Sequence, residues 1–274
     1  MKNLDLHRCG ALLKHQLVSN SRSLIRLYGT IAVGLFAADC LITQIIAGPM
    51  VVETYSRRVE DSMDANFLVL MALVMSLAAS IFSNLNHRQE RTAFLLLPAT
   101  NAEKYVVRWV YASVFGLLFT LAAVVVADTM RGLVGLLVGQ PAFLSGLPNL
   151  FATSSDTVVD PTAGYALLLG VGLLLLTHAT YVLGGVVFSR NQFLITSCII
   201  ILLNIALIGA LSYVVLDSDI VLNLLGYSEA TGLIVHPLCY VLIGVSYVVA
   251  ALFYWLSYRL FCRIQVVNHK WTNL

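Results

Sequence analysis

The residues able to do chemistry in this chain are few and widely spaced. Asp39 sits in the middle of an apolar run, and a carboxylate at the centre of a bilayer costs about 2.5–3.5 kcal/mol on insertion scales. Such a group either lines a substrate pathway or accepts a structural hydrogen bond from a polar partner such as Asn204, unless its span is shifted so that it lies shallower. His178 falls in a second apolar run and His236 at the start of another; a lone histidine there is either a packing residue or a proton relay. No H-E-x-x-H occurs, no Cys/His cluster has zinc spacing, and no G-x-S-x-G elbow is present. The cysteines Cys9, Cys40, Cys198, Cys239 and Cys262 include no C-x-x-C pair. No G-x-x-x-x-G-K-[ST] segment exists to cradle nucleotide phosphates. The sequence therefore offers no catalytic, cofactor-binding or metal-ligating set, and the expectation is a chain that is not itself an enzyme.

The most informative polar segment runs from Asn86 to Arg108. Residues 86–91 are polar and charged, and 93–97 are apolar. Pro98 disfavours helix at Leu97 and breaks the chain there. Thr100 and Glu103 have the spacing of a capping box, which starts a new helix. Glu90 and Arg91 present charge, and Phe94 to Leu97 present an apolar surface. This pattern suits docking into a groove on a partner; it suits equally an amphipathic connector resting on a membrane.

These residues must be positioned by elements that composition identifies. Of 274 residues, 59% are hydrophobic and only 11% charged, and the mean hydropathy is +0.87. A soluble domain carries about 25% charged residues, so a water-soluble globular enzyme is excluded, and so is a disordered chain. A net charge of +2 gives no reason to expect a nucleic-acid partner. A spanning helix needs roughly 20 apolar residues, and six runs qualify: 29–48, 67–85, 106–127, 163–188, 193–216 and 233–258. The segment 132–139 is too short to span alone; it either extends the third helix or lies at the interface. No run alternates as a barrel strand does. The stripes Ala72–Ser76–Ser80 and Gly135–Gly139 have the spacing of close helix packing. Trp109, Tyr165, Tyr213, Trp255 and Tyr258 fall where interfacial anchors belong.

Basic residues continue to Arg26, unlike a signal peptide. Leu6, Leu13, Leu17 and Leu24 share one line of a helix, with Arg8, His15, Arg22 and Arg26 opposite. That predicts an amphipathic helix along a membrane surface, with its basic face toward water or anionic headgroups. With six spans, Lys2, Arg8, Lys14, Arg22, Arg26, Arg88, Arg91, Lys104, Arg108, Arg190, Arg259, Arg263 and Lys270 share one side, against Arg57, Arg58 and Arg131. The positive-inside rule then places both termini in the cytoplasm. The outer loops expected are 49–66, 128–162 and 217–232. Asp160-Pro161 would start the fourth span, and the apolar stretch Ile220–Leu225 suits a short helix at the bilayer edge.

An amphipathic N-terminal helix, six spans and an inner loop reading Leu97-Pro98-Ala99-Thr100 followed by Lys104 resemble ABC-2-type transporter permeases. Phe188-Ser189-Arg190-Asn191-Gln192 and the apolar segment before the last span also fit in place. The resemblance implies an all-α integral membrane protein: an elbow helix over 1–28, a single six-helix transmembrane domain over 29–263 and a short cytoplasmic tail over 264–274. It implies a coupling region at 86–105, with Glu90, Arg91, Phe94, Leu97, Pro98, Thr100, Glu103 and Lys104 meeting an ATPase. Residues 218–231 would be an outer re-entrant segment. Asp39 and His178 are the candidate pathway residues. The partners implied are a separate ABC ATPase subunit holding ATP-Mg, a second permease half (identical or paralogous) and membrane lipids, in a bacterial inner membrane. A secondary transporter working without ATP, or a non-transporting scaffold or sensor, are the other readings. The first of these would need inverted repeats, and none is evident between the halves.

Overall fold

The computed structural model describes residues 5–45, 52–83, 89, 92, 94, 96–139, 145–147, 161–215, 225–228, 232–235 and 237–264. Apart from one short hairpin these residues are predominantly helical. In order they form α1 (Leu6–Ser19), α2 (Ser21–Cys40, continued by a π-helical turn, Leu41–Ile45), α3 (Val52–Ala79), α4 (Asn101–Leu137, with a π-helical turn at Val110–Phe115), α5 (Pro161–Val187), α6 (Gln192–Val215) and α7 (Pro237–Phe261). Strands β1 (Leu225–Ser228) and β2 (Gly232–Val235) pair antiparallel just before α7.

Among the described residues five helical segments are long and apolar enough to cross a membrane: Ser21–Thr43, Thr54–Ala79, Asn101–Leu137, Leu167–Val187 and Tyr240–Phe261. In α6 the apolar part with described side chains, Gln192–Ala206, is shorter. The distribution of side chains is that of a protein solvated by lipid. Large apolar residues such as Leu118, Leu133, Leu167, Leu202 and Val241 are exposed, while Asp39, Asn66, Thr120, Asp128 and Arg131 are buried. A water-soluble fold does the reverse. In hydrocarbon a polar side chain is stabilised only by another polar group, so the polar residues turn inward. The chain is a multi-pass membrane protein.

Several boundaries differ from the sequence reading. The single helix expected over 1–28 breaks at Asn20, whose backbone leaves helical geometry (φ −96°, ψ 5°). Arg22 and Arg26 therefore belong to the spanning helix α2. The outer loop expected at 49–66 is helical from Val52, where Tyr55, Val59, Ser62, Met63 and Asn66 are buried along one face. The charges on the other face made the segment look like loop. Segment 132–137 extends α4, whose full length of 37 residues spans about 55 Å. Gly139 ends it in left-handed geometry (φ 87°), as a helix C-cap requires; it is not a packing position. Ala72 and Ser80 are exposed, and α3 instead buries Met75, Ala78 and Ala79. The edge helix expected near 220–225 is replaced at its described end by β1; residues 216–224 lie outside the described residues, as does Asp160.

The helices fall into two compact units. The first comprises residues 1–77 and 106–156, the second 78–105 and 157–274. In the first, α2 lies along α4, and Leu35, Met63, Leu70, Val124 and Ala127 form the apolar core. In the second, α5 and α7 make the most extensive interface. Tyr165 meets Tyr240 edge-on at 5.2 Å, and the Tyr247 hydroxyl donates to the Leu168 carbonyl at 3.1 Å. A Cβ on Gly172 would meet the side chains of Ser246 and Tyr247; the missing side chain lets the backbones approach, as small residues do between membrane helices. Between α5 and α6, Asn191 turns through left-handed geometry (φ 49°). There the Gln192 amide donates to the carbonyls of Gly185 (3.0 Å) and Phe188 (2.9 Å) and caps the end of α5.

Candidate functional site

The loop before α4 is built by the two features the sequence announced. The Thr100 N–H donates to Glu103 Oε2 at 2.8 Å, and the Glu103 N–H donates to Thr100 Oγ1 at 3.3 Å. This reciprocal capping box satisfies two otherwise unpaired donors at the start of α4. Before it the chain turns tightly: the Leu97 N–H donates to the Phe94 carbonyl, and the Ala99 N–H to the Leu97 carbonyl. Glu90 and Arg91 lie outside the described residues.

An aromatic cluster holds this loop within the second unit. Phe94 meets Phe261 edge-on at 6.1 Å, and Phe261 lies 4.9 Å from Phe82 and 5.7 Å from Tyr105. Tyr105 also meets Tyr258 at 5.4 Å and donates its hydroxyl to Ser257 Oγ at 3.2 Å. Lys104 Nζ stands 5.7 Å from the centre of the Phe94 ring, within cation–π range. The end of α3, the start of α4 and the end of α7 thus converge on one loop.

The expected coupling residues divide accordingly. Phe94, Glu103 and Lys104 are buried and serve the loop's own structure. Among the described residues of the stretch 94–98, those that project are apolar: Leu96 is 77% exposed, Leu97 is 37% exposed, and Pro98 is exposed too. Sequence reasoning could not make that division, because the burying partners Tyr258 and Phe261 lie more than 150 residues away.

The candidate pathway residues are both tied into helix contacts. Asp39 is buried on α2, and Asn66 Nδ2 of α3 donates to both its carboxylate oxygens at 3.0 Å. Asn204 is instead exposed, its amide donating to the Ile200 carbonyl within α6. His178 Nδ1 of α5 lies 2.7 Å from the Tyr254 hydroxyl of α7. The two residues belong to different units.

One polar centre escaped the sequence reading. Asp128 and Arg131, assigned there to an outer loop, are fully buried in α4 and paired at 2.7 Å. Arg131 also donates to the Tyr55 hydroxyl at 3.3 Å. Asp128 accepts in addition from Ser145 Oγ at 2.6 Å and the Gly146 N–H at 3.2 Å. Gly146 is pressed on Met63 so closely that a Cβ would lie 2.7 Å from its terminal methyl. The centre therefore ties α3, α4 and residues 145–147 together, within electrostatic reach of Asp39. The one hint in sequence was the i, i+3 spacing of an acid and a base. Among the described residues no group of three metal ligands occurs.

Comparison with known proteins returns no matching family model, no matching curated relative and no matching solved structure. Function must be inferred from the chain's own chemistry.

Proposed function

We propose that this chain is the membrane subunit of an ATP-driven ABC-2-type exporter, coupled through the inner loop to a separate ATPase subunit. Its resemblance at Leu97-Pro98-Ala99-Thr100 and Lys104 suggests the class. The observation that carries the reading is the mounting of that loop. The capping box and the aromatic cluster fix its base, and Leu96, Leu97 and Pro98 project from it. A motor that pushes on a loop moves helices only if the loop is rigidly joined to them; here the loop is joined to α3, α4 and α7.

In this reading α6 is the sixth crossing, since its 24 residues reach about 36 Å and carry no charge. Both termini face the cytoplasm of a bacterium, and two permease halves, identical or paralogous, face each other. ATP and Mg bind the partner ATPase. Each hydrolysis cycle tilts α3, α4 and α7 through the loop and opens a path between the halves. Asp39 and His178, each held by a helix-to-helix hydrogen bond, set the helix packing around that path.

The test is ATPase activity of the native complex purified through this chain. The double variants Leu96→Asp with Leu97→Asp and Glu90→Lys with Arg91→Glu should insert normally and lose most of that activity. Full ATPase activity with both double variants, or a native complex that hydrolyses no ATP, refutes the reading.

A further inference from the structure

An open groove of about 560 Å³ runs along the first unit between α2 and α4, with the end of α1 at its mouth. On α2 it extends from Ser21 to Ala32, with Tyr28 and Gly29 between them; on α4 it is floored by Phe119, Ala122 and Val126. Ser21 and the Tyr28 hydroxyl are its only polar side-chain groups. The eleven steps from Ser21 to Ala32 rise about 16 Å along a helix, which matches one leaflet of a hydrocarbon core about 30 Å thick. Both walls are membrane-crossing segments, so the groove opens to lipid rather than water.

Its mouth is basic. Lys14 stands one turn before Leu17, Arg22 follows Ser21, and Arg26 follows Ile25; all three basic side chains are exposed. The nearest carboxylate in sequence on α1, Asp5, is already engaged by Arg8 at 3.1 Å. The groove's shape is also fixed from within: Tyr28 packs on Phe119 at 5.3 Å, and Asn20 Nδ2 donates to the Tyr111 hydroxyl at 3.3 Å, pinning the α1–α2 junction to α4. An apolar slot one leaflet deep, with exposed cations on the turns at one end, has the chemistry of a phospholipid site.

We propose that this groove holds one acyl chain of an anionic phospholipid, whose phosphate lies among Lys14, Arg22 and Arg26. The chain fills the space beside Gly29 that a side chain would otherwise occupy, and the headgroup fixes the angle between α1 and α2. This inference needs only that α2 and α4 cross the bilayer; it stands or falls separately from the ATPase.

The experiment uses the full chain, purified from nanodiscs of phosphatidylcholine doped with phosphatidylglycerol and read by native mass spectrometry. A Cβ on Gly29 or on Gly34 meets nothing within 4 Å, so a side chain can leave the helix at either. Gly29 lines the groove and Gly34 does not. The wild-type chain and Gly34→Leu should each retain one phosphatidylglycerol. Gly29→Leu with Ala122→Leu should lower that retention about tenfold. Arg22→Gln with Arg26→Gln should abolish the preference for phosphatidylglycerol over phosphatidylcholine. Equal retention in the groove-filled variant overturns the proposal. So does conversion of a dimer to a monomer by Gly29→Leu with lipid retention unchanged, which would make the groove an interface between copies of this chain.

Discussion

At the scale of single residues, the chain's polar groups matter most where they are hidden. Asp128 and Arg131 have no exposed side-chain surface, so neither charge is solvated by water. A buried pair contributes little net stability compared with apolar residues of the same shape, yet removing one partner strands the other. Arg131→Met should therefore destabilise the purified protein by about 3–5 kcal/mol. The double change Asp128→Leu with Arg131→Met should recover most of that loss. Thermal unfolding in detergent measures both; a double variant no more stable than the single one would show that the bonds to Tyr55, Ser145 and Gly146 outweigh the pair itself. Asp39 and Asn66 form a weaker couple, because hydrogen bonds between membrane helices average about 0.6 kcal/mol. Neither arrangement was legible in the sequence. Hydropathy cuts a helix where charges begin, and it carries no record that Tyr55 lies opposite Arg131 or Asn66 opposite Asp39. The capping box was legible because Thr100 and Glu103 are three residues apart and the physics is local.

At the scale of elements, helix ends and helix contacts set what can be changed. Asp5 caps α1, accepting from the His7 N–H at 3.0 Å and from Arg8 at 3.1 Å. The His7 bond first, then Arg8, holds its carboxyl below the usual carboxylate range. A depressed folded value means the cap is fully formed above the ordinary carboxylate pKa and is lost as pH falls through the folded one. A spin label on Cys9 should thus gain mobility on strong acidification, and Asp5→Ala should show that mobility already at neutral pH. Mobility of the Asp5→Ala label that still rose with acid would assign the effect elsewhere. On α5, the two faces respond oppositely to added volume. A Cβ on Gly185 would run into the Ala79 backbone carbonyl, whereas one on Gly170 meets nothing within 4 Å. Gly170→Ala should leave stability equal or raise it by up to about 1 kcal/mol through helix propensity. Gly185→Ala should lower it, because the obstructing atom is backbone and cannot rotate away. The positions of α5, α6 and α7 follow closely from apolar run lengths. The starts of α2 and α3 do not, because Arg22 reads as part of a separate surface helix and Arg57 as loop until one knows that a helix continues through the interface while its charged side chains reach water.

At the scale of the whole molecule, an even number of crossings is the condition on which the exporter reading depends. Two native cysteines lie near the chain's ends: Cys9 within α1 and Cys262, which is exposed, just after α7. Six crossings put them on one side, and five put them on opposite sides. Among the described residues five segments meet the length and hydropathy needed, and α6 decides the parity. The basic residues favour parity of six: Arg259 and Arg263 flank the end of α7, Arg88, Arg91 and Arg108 flank the inner loop, and Arg190 precedes α6. Moving Arg131 and Asp128 from a loop into the buried interior of α4 removes one of the three exceptions to that asymmetry. With the other cysteines replaced by alanine, a membrane-impermeant maleimide should leave both Cys9 and Cys262 unlabelled in intact cells and label both in permeabilised ones. Labelling of Cys262 alone in intact cells would make the crossings odd. Were α6 the segment that fails to cross, the loop before α4 and the end of α7 would lie on opposite faces, although Phe94 and Phe261 are in contact; the contact therefore argues for a crossing by α6.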